Sequence, residues 1–143
     1  MENAINNYWT LVIPIILYCI SGALDAVMDT LKDHFSISVF KNLNPHFWNP
    51  AISWKNKYVD GDPAKGHRKI TILCLTFDYP DALSDGWHFF KVLREGFNIL
   101  AIVSALIIPH VDFTIFGSLI FITVAGIFRN WSFNLFYNHL LKF

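Results

Sequence analysis

Asp85 and His88 form the pair of residues in this sequence whose types and spacing are best suited to chemistry. A separation of three residues places both side chains on one face of a helix, on adjacent turns. A carboxylate beside an imidazole can orient it as a general base, or the two can bind a divalent metal. We therefore predict His88, Asp85 and Asp25 as catalytic residues, with Asp81, Asp85 and His88 as possible ligands of a divalent metal.

Other polar side chains continue this helical spacing beside apolar runs. A stripe along one predicted helix face comprises Asp81, Asp85, His88, Lys91, Glu95 and Asn98. Arg129 follows an apolar run, and a guanidinium can bind a phosphate through two parallel hydrogen bonds. The predicted substrate-binding residues are Arg129, Asn130, Asn134 and Lys91. Each residue also has a plainer explanation: a solvated helix face, an arginine that snorkels to lipid phosphates, or hydrogen bonds between helices.

The composition predicts a membrane environment. Apolar residues make up 54% of the 143 residues and charged residues only 15%, against about 25% charged in a typical soluble domain. The formal net charge is zero, which argues against a nucleic-acid partner because such proteins carry a basic excess. Cys19 and Cys74 both lie in apolar runs, so a disulfide-stapled secreted fold is not expected.

Three stretches are long and apolar enough to be membrane-spanning helices, at residues 7–30, 84–108 and 111–135. The first seven residues contain no Lys or Arg, which favours a span over a signal peptide. Residues 31–69 contain seven of the eleven cationic residues and many turn formers, and they predict an aromatic and basic loop. Residues 70–77 are too short to span, and a buried strand, an interfacial helix and a re-entrant segment all fit them.

Positive charge in the loop sets the predicted orientation. Cytoplasmic loops are enriched in Lys and Arg, so residues 31–69 are expected inside, with the N-terminus outside and the C-terminus inside. The predicted fold is an all-α integral membrane protein in which residues 1–143 form a single membrane domain of three spans. This topology brings the polar clusters around Asp25, Asp85 and Arg129 to the cytoplasmic interface at one depth.

Three segments carry a resemblance to known proteins. Residues 47–58 (FWNPAISWKNKY), 85–91 (DGWHFFK) and 133–137 (FNLFY) resemble a family of small, uncharacterised multi-pass membrane proteins of bacteria and their phages. More loosely, Asp85-x-x-His88 at the mouth of a small helical bundle is similar to VanZ-like lipid-headgroup proteins. The first resemblance implies a multi-pass membrane fold, and the second implies a site for a lipid headgroup.

The function predicted from these residues is that of a membrane-embedded enzyme, such as a hydrolase, acting on a lipid headgroup or a polyprenyl phosphate at the interface of the cell membrane. His88 would act as base or metal ligand, and Arg129 would hold the phosphate. Two alternatives stay open: a non-catalytic membrane interaction or scaffold module, and a small oligomeric channel or transporter. The expected partners are membrane lipid and, in a homo-oligomer, further copies of the chain.

The three-span topology predicts that Lys55 and His110 lie on opposite sides of the membrane. Single cysteines placed at these positions, in a variant without Cys19 and Cys74, should react with an impermeant thiol reagent from opposite sides of sealed vesicles. Reaction of both positions from the same side would contradict three spans.

Overall fold

Three long helices dominate the structure, a computed structural model that describes residues 2–107 and 114–142. The helices and strands in chain order are α1 (Glu2–His34), α2 (Pro45–Trp48), α3 (Pro50–Ser53), β1 (Lys69–Ile72), β2 (Leu75–Asp78), α4 (Gly86–Ile107) and α5 (Ile115–Leu135). A π-helix, Phe136–Leu140, continues α5. The mostly helical prediction is confirmed, whereas the predicted end of the second span at 108 and start of the third at 111 lie outside the described residues.

Helix α1 is the central element, because the main helix contacts of both α4 and α5 are with α1. The packed core lies where α1 and α5 end and α4 begins. Its buried members are Ala26, Val27, Leu31, Phe40 and Leu141. Phe40 stacks on Trp48 at a ring-centroid distance of 4.8 Å, and the amide of Val39 donates to the carbonyl oxygen of Leu141. The loop and the C-terminus thus close one end of the three helices.

At the opposite end the apolar side chains face outward. Leu106 is 79% exposed and Ile115 is 85% exposed. Within residues 2–107 and 114–142, two helices are long and apolar enough to cross a membrane, at Leu11–Ile37 and Ile115–Leu140. The apolar run of α4 is shorter, because Lys91, Arg94 and Glu95 interrupt its first half.

Small residues allow α1 and α5 to approach closely. Ser21 and Ala26 on α1 are fully buried, and Ala125 and Ser132 on α5 are nearly so. A Cβ added to Gly22 would lie 2.5 Å from the carbonyl oxygen of Arg129. Close backbone approach at small residues is typical of helix packing in membranes, where dispersion contacts and hydrogen bonds hold helices together.

The chain between α1 and α4 is built from short turns. Asn44 and Asn49 each precede a proline, and their side chains accept hydrogen bonds from the amides two residues later. Asparagine before a proline is a favoured start for a helix, since the proline nitrogen needs no partner at the first helical position. The 3₁₀ turns of this region are Phe35–Ile37, Trp54–Lys57, Val59–Gly61, Pro63–Lys65 and Asp81–Leu83.

Residues 70–77 form a β-hairpin, which corrects the all-α prediction. The antiparallel pairs are Lys69 with Asp78, Ile70 with Phe77, Thr71 with Thr76 and Ile72 with Leu75. The Lys69 ammonium donates a hydrogen bond to Asp78 and holds the pKa of that carboxyl below its usual value. The consecutive β-branched residues Ile70, Thr71 and Ile72 favour a strand over a helix. A turn at Leu73 and Cys74 joins the two four-residue strands into the hairpin.

Helix α4 begins at Gly86, later than the predicted start at 84 and well after Asp81. The Asp85 Oδ1 atom accepts a hydrogen bond from the amide of His88 at 2.9 Å. A carboxylate in this position satisfies one of the unpaired amides of the first helical turn and ends the preceding coil. Asp81 therefore lies in a separate 3₁₀ turn, Asp81–Leu83, and the predicted stripe does not extend to it.

Gly22→Ala should destabilise the protein by about 1–3 kcal/mol, because the added methyl group overpacks the α1–α5 contact. The matched controls are Gly96→Ala and Gly126→Ala, where an added Cβ meets no atom within 4 Å. These should stabilise the helices by up to about 1 kcal/mol. Thermal unfolding in detergent measures the difference, and equal effects of the three substitutions would contradict the close approach.

Candidate functional site

Asp25 joins the three long helices. Its Oδ1 atom accepts a hydrogen bond from Nη1 of Arg94 on α4 at 2.8 Å, and its Oδ2 atom accepts one from Nη2 of Arg129 on α5. The Asp25 side chain is only 19% exposed. A carboxylate shared by two guanidinium groups in this position links α1 to α4 and to α5 at a single level, here called the Asp25 cluster.

Arg94 carries a second ion pair, with Glu95 on the outer side of α4. Two guanidinium groups and two carboxylates therefore balance in charge. The balance is uneven in space, since Glu95 is half exposed whereas Asp25 faces the other helices.

Arg129 uses only part of its hydrogen-bonding capacity within the described residues. Its Nε atom lies 3.4 Å from Oγ of Ser21, and Nη2 binds Asp25. The guanidinium also lies 5.3 Å from the ring centroid of Tyr18, a cation–π distance. Nη1 makes no hydrogen bond to a described residue, which leaves one donor edge of a fixed guanidinium for a ligand.

A cavity of about 600 Å³ begins at this cluster and runs between α4 and α5, with α1 as its floor. This volume lies in the range of small-molecule sites, about 300–1,000 Å³. Asn98 and Arg129 are the polar side chains at the end of the cavity nearest the Asp25 cluster. The other lining residues are Pro14, Tyr18, Ala101, Ile102, Ala105, Leu106, Ser118, Phe121, Ile122 and Ala125. We call this cavity the α4–α5 groove.

Two polar side-chain atoms of α4 lack partners among the described residues. They are Oδ1 of Asn98, a hydrogen-bond acceptor, and Nε of Arg94, a donor, and both are buried. A buried polar atom without a partner costs about 1–3 kcal/mol. Asn98 lines the groove, so a ligand with a hydroxyl group could satisfy its amide oxygen.

Asp85 and His88 form a second, separate polar cluster. Nδ1 of His88 lies 2.8 Å from Oδ2 of Asp85, which also accepts a hydrogen bond from Oγ of Ser84 at 3.0 Å. Asp85 is buried and His88 is 29% exposed. A carboxylate at Nδ1 favours the tautomer that carries its proton there and leaves Nε2 as the basic nitrogen.

The predicted metal ligands do not come together. The Asp81 carboxylate lies 3.6 Å from Nζ of Lys57, in a turn that precedes α4. Within residues 2–107 and 114–142, no three His, Cys, Asp or Glu side chains are arranged to hold a metal ion. The late start of α4 is the reason, because it removes Asp81 from the helix face that carries Asp85 and His88.

The contacts given for the remaining predicted binding residues do not involve Arg129. Nδ2 of Asn134 donates to the carbonyl oxygen of Asn130 at 2.8 Å, and both residues are exposed. Nζ of Lys91 lies 5.2 Å above the ring of Trp87. His88 precedes Arg94 by six residues, which is about 9 Å along α4 and a different face of the helix. The structure therefore divides the predicted site into the Asp25 cluster and the Asp85–His88 pair.

Arg94 is the residue that the sequence analysis missed. It belongs to α4 but lies beside the predicted stripe, one position before Glu95. One feature of the sequence could have indicated its role. Asp25, Arg94 and Arg129 each lie at the edge of an apolar run, so all three charged groups are expected at the same depth. The spacing of Gly22 and Ala26, two small residues four positions apart, also indicates where α1 packs closely.

Comparisons of the chain with protein-family models, with curated proteins and with solved structures found no match. The two resemblances drawn from the sequence therefore stay predictions.

Asp25→Asn should destabilise the protein by about 1.5–3 kcal/mol, because it weakens charge-assisted hydrogen bonds to two arginines. Asp29→Asn is the matched control, since Asp29 is exposed one turn further along α1. It should change the unfolding free energy by less than about 0.5 kcal/mol. Denaturant unfolding in mild detergent gives both values, and equal effects would contradict a structural role for Asp25.

Proposed function

We propose that the chain is a multi-pass protein of the cell membrane, with spans at residues 7–30, 84–108 and 111–135 formed mainly by α1, α4 and α5. Two helices that are long and apolar enough to cross a membrane support the proposal. So do the exposed apolar side chains at one end of the helices, including Leu106 and Ile115. The N-terminus would lie outside, and the C-terminus and the basic loop inside, by the positive-inside rule.

The Asp25 cluster would then lie at the inner boundary of the hydrocarbon region. Residues 8–24 of α1 are uncharged and end at Asp25, the apolar run of α4 begins after Glu95, and that of α5 ends before Arg129. Mutual pairing lowers the cost of charged groups at this depth. The packed core and the loop would extend beyond this boundary on the cytoplasmic side.

The function that the geometry supports best is the binding of an anionic amphiphile, such as a phospholipid or polyprenyl phosphate, in the α4–α5 groove. The observation that carries this proposal is a groove with an apolar lining that ends at Arg129. The apolar walls suit a hydrocarbon chain, and the free donor edge of a fixed guanidinium suits a phosphate. Since α4 and α5 each pack mainly on α1, a ligand could enter between them directly from the bilayer.

A hydrolase acting on the same headgroup is the second candidate, and the Asp85–His88 pair favours it. Asp85 fixes the imidazole through Nδ1, so Nε2 could accept a proton from an attacking water. A headgroup held at Arg129 would extend toward the cytoplasmic side, where His88 lies. The predicted homo-oligomer stays a prediction, because the structure contains a single chain.

Filling the groove should prevent binding. Ala105→Phe places a ring in the groove, whereas the control Val103→Phe alters an exposed position of α4 outside the lining. A phosphatidic acid with a photoreactive group in its acyl chain should label Ala101 and Ala125, two buried residues that line the groove, in the wild type and in Val103→Phe. It should fail to label them in Ala105→Phe. Equal labelling of the two variants would contradict the groove as the binding site.

Arg129→Lys tests the phosphate contact in the same assay. Lysine retains the charge opposite Asp25 but loses the planar donor edge. The loss of a charge-assisted hydrogen bond, about 1.5–3 kcal/mol, predicts labelling that needs about tenfold more phosphatidic acid. An unchanged concentration dependence would indicate that Arg129 only anchors helices. Release of phosphate in this assay, abolished in His88→Gln, would identify the hydrolase.

A further inference from the structure

We propose that the β1–β2 hairpin is a membrane anchor that inserts its apolar face and its tip into the headgroup and upper acyl region of the cytoplasmic leaflet. The hairpin extends from the loop between α3 and α4, and its main contacts are between its own two strands. The inference goes beyond ligand binding in the α4–α5 groove and rests only on the membrane location in the proposed function.

The cross-strand register makes the hairpin amphipathic. Directly opposed residues in an antiparallel pair share one face of the sheet. One face therefore carries the pairs Ile70–Phe77 and Ile72–Leu75, and the opposite face carries Lys69–Asp78 and Thr71–Thr76. The apolar face is uncovered, since Ile72, Leu75 and Phe77 are each at least half exposed. An isolated two-stranded hairpin needs a surface for such a face to be stable in water.

The turn at the tip carries the most unusual residues of the hairpin. Leu73 and Cys74 both have positive φ, 50° and 68°, a combination that hairpin turns normally assign to Asn and Gly. Leu73 is also 91% exposed. Neither backbone preference nor contact with another part of the described chain accounts for a leucine there. A strained backbone that holds an apolar side chain outward is the kind of outlier that indicates a functional constraint.

The bilayer is the occupant that fits the position and charge of the hairpin. The segment just before it, residues 54–68, contains four cationic residues and two aspartates, and this net positive charge complements an anionic lipid surface. The amide of Arg68, next to β1, donates a hydrogen bond to the carbonyl oxygen of Lys57. The neighbouring Asn56 donates from Nδ2 to the carbonyl oxygen of Ser84, just before α4. From the start of α4 to Arg94 is about 12 Å, and a strand of four residues spans about 13 Å. A hairpin of this length that points toward the bilayer reaches the membrane boundary.

The native Cys74 is a direct reporter of this insertion. In a Cys19→Ala variant reconstituted at one chain per nanodisc with anionic phospholipid, a fluorophore on Cys74 should be quenched by lipids carrying a shallow spin label. Two positions calibrate the result in variants that lack both native cysteines. Ile120→Cys, on the exposed apolar side of α5, should be quenched by lipid, and Thr76→Cys, on the polar face, by aqueous iodide.

Quenching of Cys74 by iodide, together with lipid quenching of Ile120→Cys, would overturn the anchor and leave the spans intact. Shielding of Cys74 from both quenchers would indicate a protein surface and would also overturn it. Iodide quenching of Ile120→Cys would overturn the membrane location and the anchor together. Failure of the anchor alone can therefore be told apart from failure of the membrane location.

A matched pair of substitutions tests the face that inserts. Leu75→Asp places a charge on the apolar face, and Thr76→Asp places the same charge on the polar face of the same strand. Leu75→Asp should abolish most of the lipid quenching at Cys74, whereas Thr76→Asp should leave it unchanged. Equal loss in both variants would show that the charge disrupts the hairpin itself and would contradict insertion by one face.

Discussion

The shared hydrogen bonding of Asp25 is the interaction on which the arrangement of the three long helices depends. One carboxylate on α1 accepts hydrogen bonds from Arg94 and Arg129, so it fixes the depth of α4 and of α5 relative to α1. Small residues then decide how closely the backbones approach, most clearly at Gly22 against Arg129. Removal of either arginine is costly, because it leaves part of the Asp25 charge uncompensated between the helices.

The same cluster connects structure to function, because it holds Arg129 in place while leaving part of it free. A guanidinium bonded through Nη2 and supported by the ring of Tyr18 loses little further freedom when it binds a ligand. Binding sites gain affinity when their polar groups are fixed in advance. Asp25 is thus a positioning residue for the groove as well as a contact between helices. The same hydrogen bonds to Arg94 and Arg129 serve both roles.

Much of the helical architecture was predictable from the sequence, because long apolar runs and their charged ends are local features. The division of the polar residues was not predictable. A helix that begins at Gly86 instead of near Asp81 separates Asp81 from Asp85 and His88, and a cap of a single residue decides that start. Arg94 was missed because helical periodicity assigns it beside the stripe, whereas its partner on α1 is distant in sequence. The hairpin required a positive φ at Leu73 and Cys74, which residue preferences argue against.

A double-mutant cycle between Asp25 and Arg129 tests the central claim most directly. The unfolding free energies of the wild type, Asp25→Asn, Arg129→Gln and the double variant would be measured in one detergent. A direct interaction predicts a coupling energy of about 1–3 kcal/mol, because removal of the second partner costs less once the first is gone. Effects that add to within about 0.5 kcal/mol would contradict the claim that Asp25 holds Arg129 and, through it, the α4–α5 groove.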